Sequence, residues 1–275
     1  MYGPVIQKIR QGKNLSFKAV YTGVCSKTNA IKFEKGERQL AADKFANVLA
    51  HLMLSFSEFL WIKANYEPSP SLYYQYEASQ SWNQNKRELF NQQIRSLEQS
   101  SVKIERLKLA SFRLLKDYQN QQDLSKEELT LVTTYFSELS LWTLADLKFF
   151  ANNCYVLPYD LLKQLLAEAV KVYSRYGYFK NSHEIVATVI VNSVDCMIAN
   201  QDFNLANTYL DFLDNQILGE FKLMSYQLLS RYYRAKILFL FIDKKKGKQD
   251  LNQVLEIAKY LNSQLIADEI KGLLN

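Results

Sequence analysis

The chain has 275 residues, which is long enough for two domains with a sizeable core. It contains only two His residues and no G-x-x-x-x-G-K-[ST], G-x-G-x-x-G or H-E-x-x-H pattern, which disfavours nucleotide-dependent and zinc enzymes. The whole net charge of +6 lies in residues 1–66, which hold ten Lys or Arg and four Asp or Glu. We therefore expect this segment, and not the remainder, to bind a polyanion.

Backbone composition favours an all-α fold. Glycine and proline are scarce, with 8 and 4 residues, and no Asn-Gly or Asp-Gly pair suggests a β-hairpin.

The three cysteines lack C-x-x-C spacing, so we expect a reduced protein with no metal and no cofactor. The first ten residues lack the apolar segment of a signal peptide, and residues 237–242 are too short an apolar run to span a bilayer. These features predict a cytoplasmic protein.

The first helix is predicted near the start of the chain. Val5, Ile6 and Ile9 form its apolar side, and Lys8 and Arg10 are expected to face outward. In that orientation Arg10 would contact a DNA phosphate.

Residues 15–36 are predicted to form a helix-turn-helix. Ser16 and Ser26 can cap the two helices, Gly23 permits the turn, and Gly36 ends the second helix. The second helix of such a unit enters the major groove of DNA.

The outer side of this second helix carries residue types that read DNA. Lys neutralises phosphate or contacts guanine, Asn pairs with adenine, and Thr offers a hydroxyl or a methyl group. The start of the first helix is also expected to contact the DNA backbone. The predicted DNA-binding residues are Arg10, Ser16, Lys18, Ser26, Lys27, Thr28, Asn29 and Lys32. The alternative is an ordinary helical hairpin with exposed lysines.

Two more helices complete a five-helix domain at residues 1–66. Apolar residues recur at helical spacing in residues 45–53, and Ser55 can cap a short fifth helix. The segment 67–71 contains two prolines one residue apart and is the predicted linker.

Residues 72–275 are predicted to form a helical-repeat domain. Helices are expected to begin near Leu72, Val102, Ser125, Thr143, Pro158, Ser182, Asp202, Gly219, Lys248 and Asn262. The segments 200–206 and 248–254 resemble each other at the start of the second helix of a pair, which is typical of tetratricopeptide-like repeats. Residues 244–246 are predicted to be a solvated turn, and a plain helical bundle is the alternative fold.

Two helices of this domain carry candidate peptide-binding residues. The helix at 184–199 is apolar around most of its circumference, but Thr188, Asn192 and Asp195 form a polar stripe that should face a groove, water or a partner. Tyrosines and arginines in the helix at 220–242 are typical of binding surfaces, although they also suit a core. Two asparagines before Pro158 either face the same groove or end their helix. The predicted peptide-binding residues are Asn152, Asn153, Asn192, Tyr226, Arg231 and Tyr233.

The run LSFKAVYTGVCSKTNAIKFEKGER, followed by LMLSFSEFLWI, resembles the Rgg/MutR/GadR regulators of Gram-positive bacteria. The resemblance covers the full chain. It implies a homodimeric transcription regulator with an Xre-type, lambda-repressor-like domain that binds promoter DNA. It also implies a tetratricopeptide-like domain that, in several members, binds a short hydrophobic pheromone peptide in quorum sensing. Phe17 departs from the wider Xre pattern, which has a phosphate-contacting Gln at this place.

A second hypothesis stays open. The chain could be a helical-repeat adaptor or assembly protein whose small basic domain binds nucleic acid without sequence specificity. The hypothesis that the chain is an enzyme has the least support from the residues.

Overall fold

The computed structural model describes residues 1–67, 91, 94–95, 97–217, 219 and 223–275. These residues form helices and no β-strand, which confirms the predicted all-α fold. The chain divides into two compact units, Met1–Ser96 and Leu97–Asn275. The predicted linker, apart from Glu67, and the predicted helix start at Leu72 lie outside the described residues. The boundary between the domains therefore stays a prediction.

The amino-terminal unit contains the five helices predicted for it. They are α1 (Gly3–Gly12), α2 (Phe17–Tyr21), α3 (Lys27–Glu34), α4 (Ala42–His51) and α5 (Phe56–Lys63). All five contribute to one apolar core, which includes Ile6, Val20, Phe33, Leu49 and Phe59. The unit depends on this small shared core because a domain of about 65 residues buries only a modest fraction of its surface.

The carboxy-terminal unit is a succession of packed helices. Those described are α6 (Lys103–Gln119), α7 (Lys126–Ser137), α8 (Leu144–Asn153), α9 (Tyr159–Tyr173), α10 (Ser182–Ala199), α11 (Phe203–Phe212), α12 (Met224–Ile237), α13 (Lys244–Tyr260) and α14 (Gln264–Leu274). Short 3-10 or π-helical turns follow α8, α11 and α12. The predicted starts of α6 to α11 and of α14 agree with the structure to within two residues, whereas α12 begins five residues after Gly219.

The predicted start of the helix near Lys248 is wrong. Helix α13 begins at Lys244, because the side chain of Asp243 accepts a hydrogen bond from the Lys246 backbone N–H at 2.9 Å. Residues 244–246 are therefore the first turn of a helix and not a separate solvated turn. The predicted equivalence of 200–206 and 248–254 is also wrong, since Asp202 caps α11 whereas Asp250 lies inside α13.

Helix α10 is the central helix of the carboxy-terminal core. It packs against α8, α9, α11 and α12, and its apolar residues are buried as predicted: Ile185, Val186, Val189, Ile190, Val194, Met197 and Ile198. By length and composition this helix could span a membrane, but 61% of it is buried inside the protein. A core helix that packs on several sides has the same composition.

Candidate functional site

The helix-turn-helix consists of α2 and α3. Ser16 accepts a hydrogen bond from the Ala19 N–H at 3.1 Å, and Ser26 accepts one from the Asn29 N–H at 3.4 Å. Both serines therefore cap their helices as predicted. The chain turns between the helices at Gly23, whose φ of +76° lies in the left-handed region that glycine adopts without strain.

Arg10 does not face outward, and that prediction is wrong. Its Nε and Nη2 atoms donate to the two carboxylate oxygens of Glu34 at 2.7 and 2.8 Å, and both side chains are buried. Nη1 donates to the Leu15 carbonyl at 2.8 Å, and Tyr21 donates its hydroxyl to Glu34 at 2.9 Å. The guanidinium is thus occupied in joining α1 to α3 and is not available to phosphate.

Phe17 has a structural role in the same cluster. Its ring centroid lies 4.1 Å beneath the Arg10 guanidinium, and it stacks on Tyr21 with 5.8 Å between ring centroids. At the place of the polar residue in the wider Xre pattern, this chain thus has an aromatic ring that contacts the buried cation. Burial and the charge of Glu34 raise the pKa of Tyr21 well above its ordinary value, so the phenol stays a donor.

The outer face of α3 is open to solvent as predicted. Lys27, Thr28 and Lys32 are exposed, while Ala30 and Phe33 are buried in the core. Ser16, Lys18 and Ser26 are also exposed. Within residues 1–67 the only ion pair joins Arg10 to Glu34, so no carboxylate there neutralises these lysines. We call Lys27, Thr28, Asn29 and Lys32 the α3 outer face.

Asn29 has a partner that the sequence analysis missed. The exposed Arg38 donates from Nη1 to the Asn29 side-chain oxygen at 2.8 Å. Arg38 lies two residues after Gly36, which follows the end of α3. This position of a basic residue was the only feature of the sequence that could have indicated a contact with the α3 outer face.

The polar stripe of α10 binds neighbouring helices of its own unit. The Thr188 hydroxyl lies 2.7 Å from the Tyr226 hydroxyl of α12. The Asn192 amide donates to the Ala151 carbonyl of α8 at 2.9 Å. Each contact satisfies a polar group that would otherwise be costly to bury.

The third residue of the stripe joins a charged cluster. Asp195 pairs with Lys236 at 2.9 Å, and Lys236 also lies 3.6 Å from Glu269. The ammonium group of Lys236 lies within 6 Å of the ring centroids of both Tyr232 and Tyr233. Lys236 was absent from the predicted site, although its spacing of three residues from Tyr233 places both on one side of α12.

Three of the six predicted peptide-binding residues lie along the contacts that join α8, α10 and α12. They are Asn192, Tyr226 and the half-buried Tyr233, and Asn152 is exposed next to Ala151, the partner of Asn192. Burial raises the pKa of Tyr233, and the charges of Asp195 and Glu269 raise it further. We call Asn152, Asn192, Tyr226 and Tyr233 the α8–α10–α12 surface.

The other two predicted residues do not join this surface as expected. Asn153 is buried, donates to the Phe149 carbonyl at 2.7 Å and is the last residue of α8, so it ends its helix. Arg231 is exposed on α12, five residues from Tyr226 and therefore about 140° around the helix from it. Among the described residues no group of three His, Cys, Asp or Glu side chains could hold a metal ion.

Comparison with known proteins identifies the family. The profile described as "HTH-type transcriptional regulator Rgg, C-terminal domain" matches residues 71–272. A protein of Listeria monocytogenes EGD-e, proposed to be a transcriptional regulator, superposes with a TM-score of 0.82 at 22% identity, covering 99% of this chain and 95% of the other.

Two further solved structures share the fold across both chains. The SHP pheromone receptor Rgg2 of Streptococcus dysgalactiae superposes with a TM-score of 0.76 at 18% identity, covering 99% of this chain and 98% of the other. PrgX in complex with cCF10 superposes with a TM-score of 0.70 at 16% identity, with the same coverage. The match of the family profile over most of the chain, together with an amino-terminal helix-turn-helix, shows that this protein belongs to the Rgg family of transcriptional regulators.

Proposed function

We propose that the amino-terminal unit binds a specific double-stranded promoter site with α3 in the major groove. The observation that carries this proposal is the α3 outer face, where Lys27 and Lys32 are exposed and lack carboxylate partners within residues 1–67. Arg10 is the one buried basic side chain within residues 1–67, and Glu34 neutralises it internally, so the surface keeps its positive charge. A surface of this kind gains affinity by releasing counterions from DNA.

The proposed DNA contacts are a subset of the predicted ones. They are Ser16, Lys18, Ser26, Lys27, Thr28, Asn29 and Lys32, all of them exposed or half-buried in the structure. We propose that the protein acts in the cytoplasm as a homodimer, with the two α3 helices spaced about 34 Å apart on a pseudo-palindrome. Arg10 is left out because its donors are occupied by Glu34 and the Leu15 carbonyl.

Charge removal on α3 tests this proposal. Lys27→Ala and Lys32→Ala should each weaken binding to the promoter upstream of the gene and reduce the salt slope of log K by about 0.9 per lost phosphate contact. Lys63→Ala removes the same charge from the exposed surface of α5 and is the matched control. Fluorescence anisotropy across a salt series measures both quantities. Equal slopes for all three variants and the wild type would show that α3 does not contact DNA.

We further propose that the α8–α10–α12 surface binds a short hydrophobic peptide that controls DNA binding. Rgg2 is a pheromone receptor and PrgX binds cCF10, and both share this fold over nearly the whole chain. Asn192 and Tyr226 already form hydrogen bonds there, and Tyr233 adds a half-buried aromatic ring. Amide and hydroxyl groups beside aromatic rings suit a peptide backbone that carries apolar side chains.

A library of synthetic hydrophobic octapeptides, screened by affinity selection and mass spectrometry, would identify a ligand for this surface. Asn192→Ala should then weaken binding of the selected peptide by about tenfold, the cost of roughly one hydrogen bond in a partly buried site. Arg231→Ala is the matched control, because Arg231 lies on the same unit but faces another direction. Unchanged affinity of the Asn192→Ala variant would remove Asn192 from the site.

A further inference from the structure

Arg38 lies close to the α3 outer face because of the way α3 ends. The Gly36 N–H donates to the Phe33 carbonyl at 2.8 Å, and the Glu37 N–H donates to the Lys32 carbonyl at 2.9 Å. Gly36 has a φ of +80°, which completes this helix stop and reverses the chain. The side chain of Arg38 then reaches back along the helix to Asn29, nine residues earlier.

The hydrogen bond between them changes what Asn29 can offer a base. Asn reads adenine with two bonds, in which the side-chain oxygen accepts from N6 and the amide nitrogen donates to N7. Here the oxygen already accepts from Arg38 at 2.8 Å. The amide N–H groups of Asn29 and the remaining N–H groups of Arg38 are all donors. Because one of the two acceptor positions of the Asn29 oxygen is filled by a cation, the pair as a whole presents mainly donors and a positive charge.

Guanine has the matching edge in the major groove. The O6 and N7 atoms of guanine are both acceptors, whereas adenine presents one donor and one acceptor. Arg38 is exposed and Asn29 is half-buried, so the pair is accessible at the surface. Within residues 1–67 the only ion pair is that of Arg10 and Glu34, so no carboxylate of this range pairs with the Arg38 guanidinium.

We propose that Arg38 is a specificity-determining residue that, by holding the side-chain oxygen of Asn29, makes this part of α3 select guanine over adenine. This inference rests on the proposed function, in which α3 enters the major groove. Without Arg38, Asn29 regains the donor and acceptor pair that suits adenine.

In vitro selection from a random duplex library with the full-length protein defines the binding site. Anisotropy titrations then compare duplexes in which each guanine is replaced by adenine. At one position in each half-site the wild type should prefer guanine by about tenfold or more, within the range for a bidentate contact. Arg38→Ala should reduce that ratio at least fivefold or reverse it. Arg38→Lys keeps the charge but lacks the planar fork, and it should lose the same preference.

A control variant separates a loss of affinity from a loss of base preference. Lys18→Ala should weaken binding to every duplex and leave the ratio between guanine and adenine unchanged. If Arg38→Ala weakens all duplexes equally at an unchanged ratio, Arg38 contacts only phosphate and the inference is overturned. If selection with the wild type enriches no sequence, the proposed sequence-specific function itself fails.

Discussion

The buried pair of Arg10 and Glu34 is expected to hold the amino-terminal unit together. Glu34→Ala leaves the guanidinium without its counter-charge, although only 9% of the Arg10 side chain is exposed. Breaking a buried pair on one side costs about 3–5 kcal/mol. A small domain has a free energy of unfolding of about 5–15 kcal/mol in total. The variant should therefore lose a large fraction of the stability of this unit.

Removing both charges should cost less than the sum of the single changes. In Arg10→Met/Glu34→Leu no charge is left buried, and apolar replacements of similar size are often neutral in such positions. Compared with the single variants Arg10→Met and Glu34→Leu, the double variant should show a coupling free energy of about 2–3 kcal/mol between the two positions. Additive effects of the single changes would contradict the coupling.

Hydrogen exchange with mass spectrometry locates the effect. Amide protection should fall in residues 1–67 of the Glu34→Ala variant and stay unchanged in residues 97–217, because the two units have separate cores. Wild-type protection across residues 1–67 would refute the reasoning that this pair fixes α1 against α3.

The remaining predictions concern the same unit. Gly3→Ala would place a methyl group 1.7 Å from the Phe33 carbonyl oxygen and should lower the free energy of unfolding of the unit by about 1–3 kcal/mol. A methyl group at Gly12 would meet no heavy atom within 4 Å, so Gly12→Ala should stabilise α1 by up to about 1 kcal/mol. Urea unfolding measures both changes. Because folding raises the pKa of Tyr21, the contribution of its hydroxyl to the free energy of unfolding is complete below pH 10 and is lost as pH rises further. The stability difference between wild type and Tyr21→Phe should thus shrink above pH 10 by about 1.4 kcal/mol per pH unit, and a constant difference would contradict the raised pKa.

Local signals predicted the helix-turn-helix well. The residues that begin and end the two helices act within one helical turn of their own position: the caps Ser16 and Ser26 and the glycines Gly23 and Gly36. Residue type and spacing were therefore enough to place the two helices. The apolar periodicity of α10 likewise predicted its central position in the core.

Long-range pairs could not be predicted in this way. Glu34 lies 24 residues from Arg10, and a charged residue in an amphipathic helix is ordinarily solvated, so the pattern alone placed Arg10 outside. Residues 244–246 were predicted to be a solvated turn, and three lysines are in fact unfavourable at the positive end of a helix dipole. The Asp243 cap and the burial of Gly247 against Phe239 outweigh the repulsion.

The internal position of the Arg10–Glu34 pair has a practical consequence for handling the protein. Mobile ions screen contacts on the surface much more than contacts in a core. Concentrated sodium chloride should therefore elute the protein from a heparin column while the amino-terminal unit stays folded, and dilution should restore binding without a refolding step.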